Sequence, residues 1–273
     1  MVVVDFCAFI LFCFYIFNGT NSLSQYSEIP DLMLYAVQYI RSFLFLIQMY
    51  LMMVVFGLVF SPFVMLNRKY SYLAVHVWCR WVRWTAAWMV GLKSEVRGVI
   101  PDNELIIAAK HQSFFDIILI VSETPRPKFI MKSSLRWAPV LGWYAKKIGC
   151  VPVERGKRSE AIQKMMSAVA SGATPPGQLI IYPQGTRVSP GDFKPYKIGV
   201  AALYQQTGQE CLPVACNVGL FWPKFGIMRK PGLAIVECLP MIPAGLENSA
   251  LMSELEHSIE KRTNQLITEA KYN

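Results

Sequence analysis

Hydrophobic and polar positions divide the chain into three unequal stretches. The first runs from Met1 to Phe17 and is apolar except for Asp5, and the polar run "NGTNSLSQYSEIPD" follows it. It has neither the basic start nor the small-residue cleavage site of a signal peptide. It is also short of the roughly 20 residues that a bilayer span needs. Residues 1–30 therefore read as an appendage, with Met33 as an alternative start.

The second stretch, residues 31–92, is predicted to anchor the protein to a membrane. From Ser42 to Asn67 no side chain is charged, and "FLFLIQMYLMMVVFGLVFSPFVML" is apolar on every helical face. A core helix of a soluble domain keeps a polar face, so this pattern favours lipid. Pro62 is predicted to kink or end the helix. Arg68, Lys69, Arg80 and Arg83 follow it, while Arg41 and the acids Glu28 and Asp31 come before it. That bias puts the C-terminal side in the cytoplasm. In "VWCRWVRWTAAWMVGL", a helical advance of ~100° per residue brings Trp81, Trp84 and Trp88 within about 60° of one another, with Arg80 and Arg83 opposite. Such a helix either lies among lipid headgroups or packs its tryptophans on the domain.

After Gly91 the period changes. Short apolar runs ("LIIAA", "KFIM", "CVPV", "QLIIYP", "CLPVAC", "LAIVECL") alternate with helical stretches at "FDIILIVS", "APVLGWYAKKIG", Ser159–Ser171, Ile198–Thr207 and Leu246–Ala270. Alternation of this kind predicts an α/β domain over residues 93–273 built on a mostly parallel mixed sheet flanked by helices.

Composition sharpens the picture in two places. Between Arg126 and Lys197 there are 13 Lys and Arg against three acids (Glu154, Glu160 and Asp192), so a net charge of +10 sits in this segment of a chain whose total is +9. The middle of the chain suits an anionic partner such as phosphate, acidic lipid or nucleic acid. No nucleic-acid motif accompanies it, and such a partner would leave the apolar segments unexplained, so nucleic acid is set aside. The seven cysteines form no CxxC and have no His set beside them, so neither a disulfide framework nor a metal site is predicted.

The chemistry gathers at strand ends, where α/β sheets place their sites. "LIIAA" delivers Lys110 and His111, and Asp116 follows five residues after His111. A turn between them folds the carboxylate onto the imidazole. The carboxylate fixes the tautomer and leaves the far nitrogen free to take a proton. No GxSxG elbow is present. A purely structural histidine is the alternative at this point. His76 and His257 compete poorly, because His76 has no sequence neighbour that is acidic and His257 lies within a charged helix. In "IIYPQGTRVSPG", Gly185 permits close backbone approach and Arg187 can grip a phosphate with two hydrogen bonds. A plain surface turn is the alternative there. Lys132 and Arg155 follow two other strands, which adds two cations to the same predicted edge.

"HQSFFD" matches the HxxxxD motif of the glycerolipid acyltransferases. "GCVPVERGKR", "YPQGTR" and "CLPVACNVGLFWP" resemble their remaining blocks, in the family's order. Within that family the chain looks like the bacterial 1-acylglycerol-3-phosphate acyltransferases. The resemblance implies a glycerol-3-phosphate acyltransferase-like fold behind a membrane-associated helical segment. It implies His111 as general base on the sn-2 hydroxyl of lysophosphatidate and Asp116 as its orienter. Lys132, Arg155 and Arg187 would bind the phosphate, Gly185 and Thr186 would shape that turn, and Pro213 would lie on the acyl-donor side. The donor would be acyl-CoA or acyl-carrier protein, with no metal or cofactor. The place would be the cytoplasmic face of a bacterial inner membrane, among membrane lipids. Gln184 departs from the family's PEGTR, which has Glu there. That loss of charge beside Arg187 leaves room for another lysolipid, such as a lyso-ornithine lipid, as substrate. A non-catalytic membrane-bound lipid-binding protein is the reading from a different class.

Overall fold

The computed structural model describes residues 29–153, 163, 167 and 176–272, and the chain divides into two compact units after Val37. The N-terminal unit contributes the start of α1, Ile29–Leu66. The elements that follow are α2 (Lys69–Val90), β1 (Leu92–Arg97), β2 (Ile106–Ala109), α3 (Phe115–Glu123), β3 (Pro127–Lys132), α4 (Leu141–Lys147), β4 (Val151–Val153), β5 (Gln178–Ile181), α5 (Gly199–Thr207), β6 (Cys211–Cys216), β7 (Gly232–Cys238) and α6 (Asn248–Tyr272). The predicted helix at Ser159–Ser171 lies outside the described residues, apart from helical Gln163 and Ser167. Strand β1 escapes a periodicity reading because "LKSEVR" has only two apolar residues.

The seven strands form one sheet in the order β1-β7-β6-β2-β5-β3-β4. Among the strand pairs of the described residues, only β6–β7 is antiparallel. β2 lies between β5 and β6, with Ile106 level with Leu179 on one side and Cys211 on the other. Both its faces are covered, which is why all four of its residues are apolar and buried. Ile106 and Ala108 pack with Val200, Leu203, Leu255 and Ile259 beneath α5 and α6. Ile107 and Ala109 face Val82, Val90, Phe115 and Leu119 beneath α2 and α3.

α1 begins well before the charge-free stretch and runs through Pro62 rather than ending there. Pro62 cannot donate to the Leu58 carbonyl, and the Ser61 hydroxyl donates to that carbonyl instead at 2.9 Å. From Gln38 onward α1 lies along α2. The Gln38 side chain donates to the Val90 carbonyl at 2.9 Å, Gln48 to the Thr85 hydroxyl at 3.0 Å, and the Trp78 indole to the Met49 carbonyl at 3.1 Å. α2 belongs to the domain core through Cys79, Val82, Ala86 and Val90, and it ends at Gly91, whose φ of 73° suits a glycine C-cap.

The tryptophan stripe is therefore split. Trp81 packs edge-on to Phe56 and donates to Gln48, while Trp84 and Trp88 stay exposed. Arg83 turns to the domain and pairs with Glu123.

Candidate active site

Side-chain alternation beyond the end of β2 builds the site. The Lys110 amide extends the ladder by donating to the Val214 carbonyl at 2.9 Å. Residues 106, 108 and 110 therefore face α5 and α6, and 107, 109 and 111 face α2 and α3. Lys110 and His111 thus leave the same strand end on opposite faces.

On the α3 face, His111 Nδ1 lies 2.9 Å from Asp116 Oδ1. The other carboxylate oxygen accepts the Gln112 and Ser113 amides at 2.8 and 2.7 Å. Asp116 is fully buried in the first turn of α3, where a carboxylate also meets the positive end of the helix. With three donors the carboxylate is satisfied as an anion, and His111 Nδ1 carries the proton that it accepts. The imidazole's other nitrogen is then the basic one. Tyr182, next after β5, stacks on the ring with centroids 4.0 Å apart and planes 23° apart. Its phenol is buried and held protonated far above its ordinary range, first by burial and then by Asp116. The Cys216 thiol touches the Lys110 carbonyl at 3.7 Å, and burial followed by the Asp116 charge keeps it protonated. Both groups beside the dyad are thus held in their protonated forms.

On the opposite face the buried Lys110 ammonium meets both Glu260 oxygens at 2.7 Å, and the Tyr196 hydroxyl donates to the same carboxylate at 2.9 Å. Gln184 donates to the Lys194 carbonyl at 3.0 Å and lies 3.5 Å from Glu260 Oε1. The hydrogen-bond partners of Gln184 are thus Lys194 and Glu260, so a carboxylate from α6 lies beside the residue that departs from the family's Glu.

The turn after β5 carries the predicted anion-binding residues. Gly185 has φ 69°, and the Lys197 ammonium packs 2.9 Å from where a Cβ would stand. Thr186 and Arg187 are half-buried. Arg187 donates to the Lys224 carbonyl at 2.9 Å, its guanidinium lies 5.9 Å from the Phe225 ring centre, and among the described residues no carboxylate pairs with it. The Val188 amide donates to the His111 carbonyl at 2.8 Å, which ties the turn to the dyad. Lys132 closes β3. Arg155 lies outside the described residues. Pro213 is buried in β6, level with Ala108. Its carbonyl accepts the Leu239 amide at 2.9 Å on the β7 side, so the N–H that proline lacks falls at the outermost rung of the β6–β7 ladder. Tyr182, Lys197 and Glu260 had no predicted role. Tyr182 stands within the quoted "YPQGTR", but stacking on a residue 71 positions away carries no local signal.

Residues 93–217 match the family model described as Acyltransferase. A 1-acyl-sn-glycerol-3-phosphate acyltransferase of Pseudomonas aeruginosa is 26% identical over 85% of this chain and 92% of its own length. A protein of the same description from Saccharomyces cerevisiae is 30% identical over 59% of this chain and 54% of its own. A chloroplastic relative from Brassica napus is covered over only 45% of its length. The crystal structure of the 1-acyl-sn-glycerophosphate acyltransferase PlsC from Thermotoga maritima superposes with a TM-score of 0.70 over 84% of this chain and 97% of that one, at 23% identity, and so shares the fold.

Proposed function

Since residues 93–217 form a domain of the acyltransferase family, we infer that this enzyme acylates the sn-2 hydroxyl of 1-acylglycerol-3-phosphate to give phosphatidate. The observation that carries the reading is the 2.9 Å contact between His111 Nδ1 and the buried Asp116 carboxylate at the end of β2. It leaves Nε2 as a base for a substrate hydroxyl. The hydroxyl oxygen attacks the thioester carbonyl carbon of acyl-CoA or acyl-carrier protein as His111 takes its proton. The C–S bond then breaks, and the imidazolium returns the proton to the leaving thiolate. No acyl-enzyme, metal or cofactor is needed.

Arg187, with Lys132 and Arg155, would hold the phosphate, Gly185 and Thr186 shaping that turn and Pro213 bounding the acyl-donor side. Lys197 would add a fourth cation. Among the described residues one helix, Met33–Leu66, is long and apolar enough to cross a bilayer. From Gln38 onward it lies along α2, which is part of the domain core. That packing favours α1 resting in one leaflet together with the domain over a helix crossing alone. The membrane would be a bacterial inner membrane with the domain on its cytoplasmic face, so that the lipid reacts without leaving the bilayer.

The test is acyl transfer from a thioester donor to lysophosphatidate by the detergent-purified chain, beside His111→Ala. Turnover lost in the variant supports the reading. Turnover on a different lysolipid alone keeps the chemistry and overturns the substrate. No transfer to any lysolipid from either donor favours a non-catalytic lipid-binding protein.

A further inference from the structure

We propose that the connection between β3 and β4, Ser133–Lys147, is a second membrane-docking surface. It would set the end of β3 at the headgroup plane. The inference rests on the membrane association proposed above and extends it to a segment far from α1 in sequence.

The segment shows apolar side chains to the outside of the domain. Trp137 is 76% exposed, Leu141 41%, Leu135 40% and Trp143 37%. From Lys132 to Gly149 there is no acid, while Arg136, Lys146 and Lys147 lie among these residues. Arg136 sits 4.8 Å over the Trp137 ring and Lys147 5.4 Å from that of Trp143. Indole rings beside basic groups are the composition of a protein surface at the water–lipid boundary, where the ring enters the interface and the cation meets anionic headgroups.

Continuity with α1 decides the occupant. Val140 has φ 63°, a left-handed conformation costly for a β-branched residue. Its Cγ1 occupies the space that a Cβ at Gly57 would need, so it fills the notch that Gly57 leaves in α1. The Tyr144 hydroxyl donates to the Gly57 carbonyl at 2.9 Å, and Val140 and Tyr144 pack with Phe60, Val64 and Ala74. A strained backbone held by two contacts to one glycine fixes the segment against α1. The exposed tryptophans thereby belong to a segment fastened to the helix that itself exposes Val54, Leu58 and Met65. Lys132 immediately precedes the segment, so seating it in the interface carries that strand end to the headgroups.

Hydroxyl-radical footprinting of the full chain, in detergent-free vesicles of anionic phospholipid and in a non-lipid polymer, reads each residue separately. The expected result is a several-fold drop in oxidation of Trp137 and Trp143 in vesicles, alongside Met65 and Trp88. Protection of Met65 and Trp88 with Trp137 and Trp143 still oxidised overturns this inference and leaves the α1 reading intact. No protection of any of the four overturns both. Protection of Trp137 and Trp143 by soluble acyl-carrier protein but not by vesicles overturns it in favour of a protein partner.

Discussion

Glu260 on α6 holds the Lys110 ammonium with both carboxylate oxygens at 2.7 Å, one residue before His111. The last helix of the domain is thereby fastened to the strand that carries the dyad. Lys110 keeps only 2% of its side-chain surface and Glu260 17%. Removing one partner strands a buried charge. Glu260→Gln is expected to destabilise the fold by about 3 kcal/mol, the low end of the range for broken buried pairs because Glu260 retains some solvent. Lys110→Met combined with Glu260→Leu should recover much of that loss. Urea unfolding of Glu260→Gln, of the double variant and of its two constituent single variants is the check, and a double variant as unstable as the sum of its singles would sink the assignment.

Asp116→Asn separates positioning from packing. The asparagine oxygen can still accept the Gln112 and Ser113 amides, but its amide no longer holds the proton on His111 Nδ1. Acyl transfer is expected to fall by about 10²–10⁴-fold, the usual contribution of a positioned general base, with a much smaller change in thermal midpoint. Loss of activity matched by unfolding would show that the residue mainly holds the loop.

Much of this site is local in sequence, and that part was legible. His111 and Asp116 lie within one turn, so their contact follows from a strand end and a helix start. The cation-rich turn at Gly185–Arg187 is equally local. What was not legible is long-range. Glu260 reaches Lys110 across 150 residues, and nothing in the closing helix marks one glutamate among several as the partner. Tyr182 meets His111 only because β5 lies beside β2. In the fold, alternating apolar runs gave away β2, β3, β4, β5, β6 and β7. β1 remained hidden because its pairing with β7 at the edge of the sheet, rather than a fully apolar face, makes it a strand.

Acid sensitivity is expected from a second ion pair two residues further along α6. Arg262 donates to the two Glu237 oxygens at 2.7 and 2.8 Å, and those hydrogen bonds, more than any other cause, hold the Glu237 carboxyl below its ordinary range. A depressed carboxylate stabilises the fold above its unfolded value, ordinarily about pH 4.3, and that contribution is lost as pH falls through the lower folded value. Both side chains are partly exposed, so about 1 kcal/mol is at stake. Glu237→Gln should forfeit this already at neutral pH and then lose less stability on acidification than the unaltered protein. Parallel denaturation curves at neutral and acid pH measure the difference, and equal acid slopes would refute it.

Gln184→Glu tests the same buried cluster from the β5 side. Gln184 is 1% exposed, its amide nitrogen serves the Lys194 carbonyl, and Glu260 Oε1 is 3.5 Å away. A carboxylate there would face one carbonyl oxygen and a second carboxylate, with Lys110 as the cation that already pairs with Glu260. Like charges this close cannot both ionise freely, so one acid of the pair is raised above its ordinary range. A raised group stabilises the fold below its unfolded value, and that stability is lost as pH rises through the folded value. The variant should therefore melt below the unaltered protein at about pH 8, with the gap closing toward about pH 5 as the added acid takes up a proton. A gap independent of pH would mean that the introduced carboxylate finds a cation of its own. If the lysolipid preference also stays unchanged, the residue at this position has no part in head-group choice.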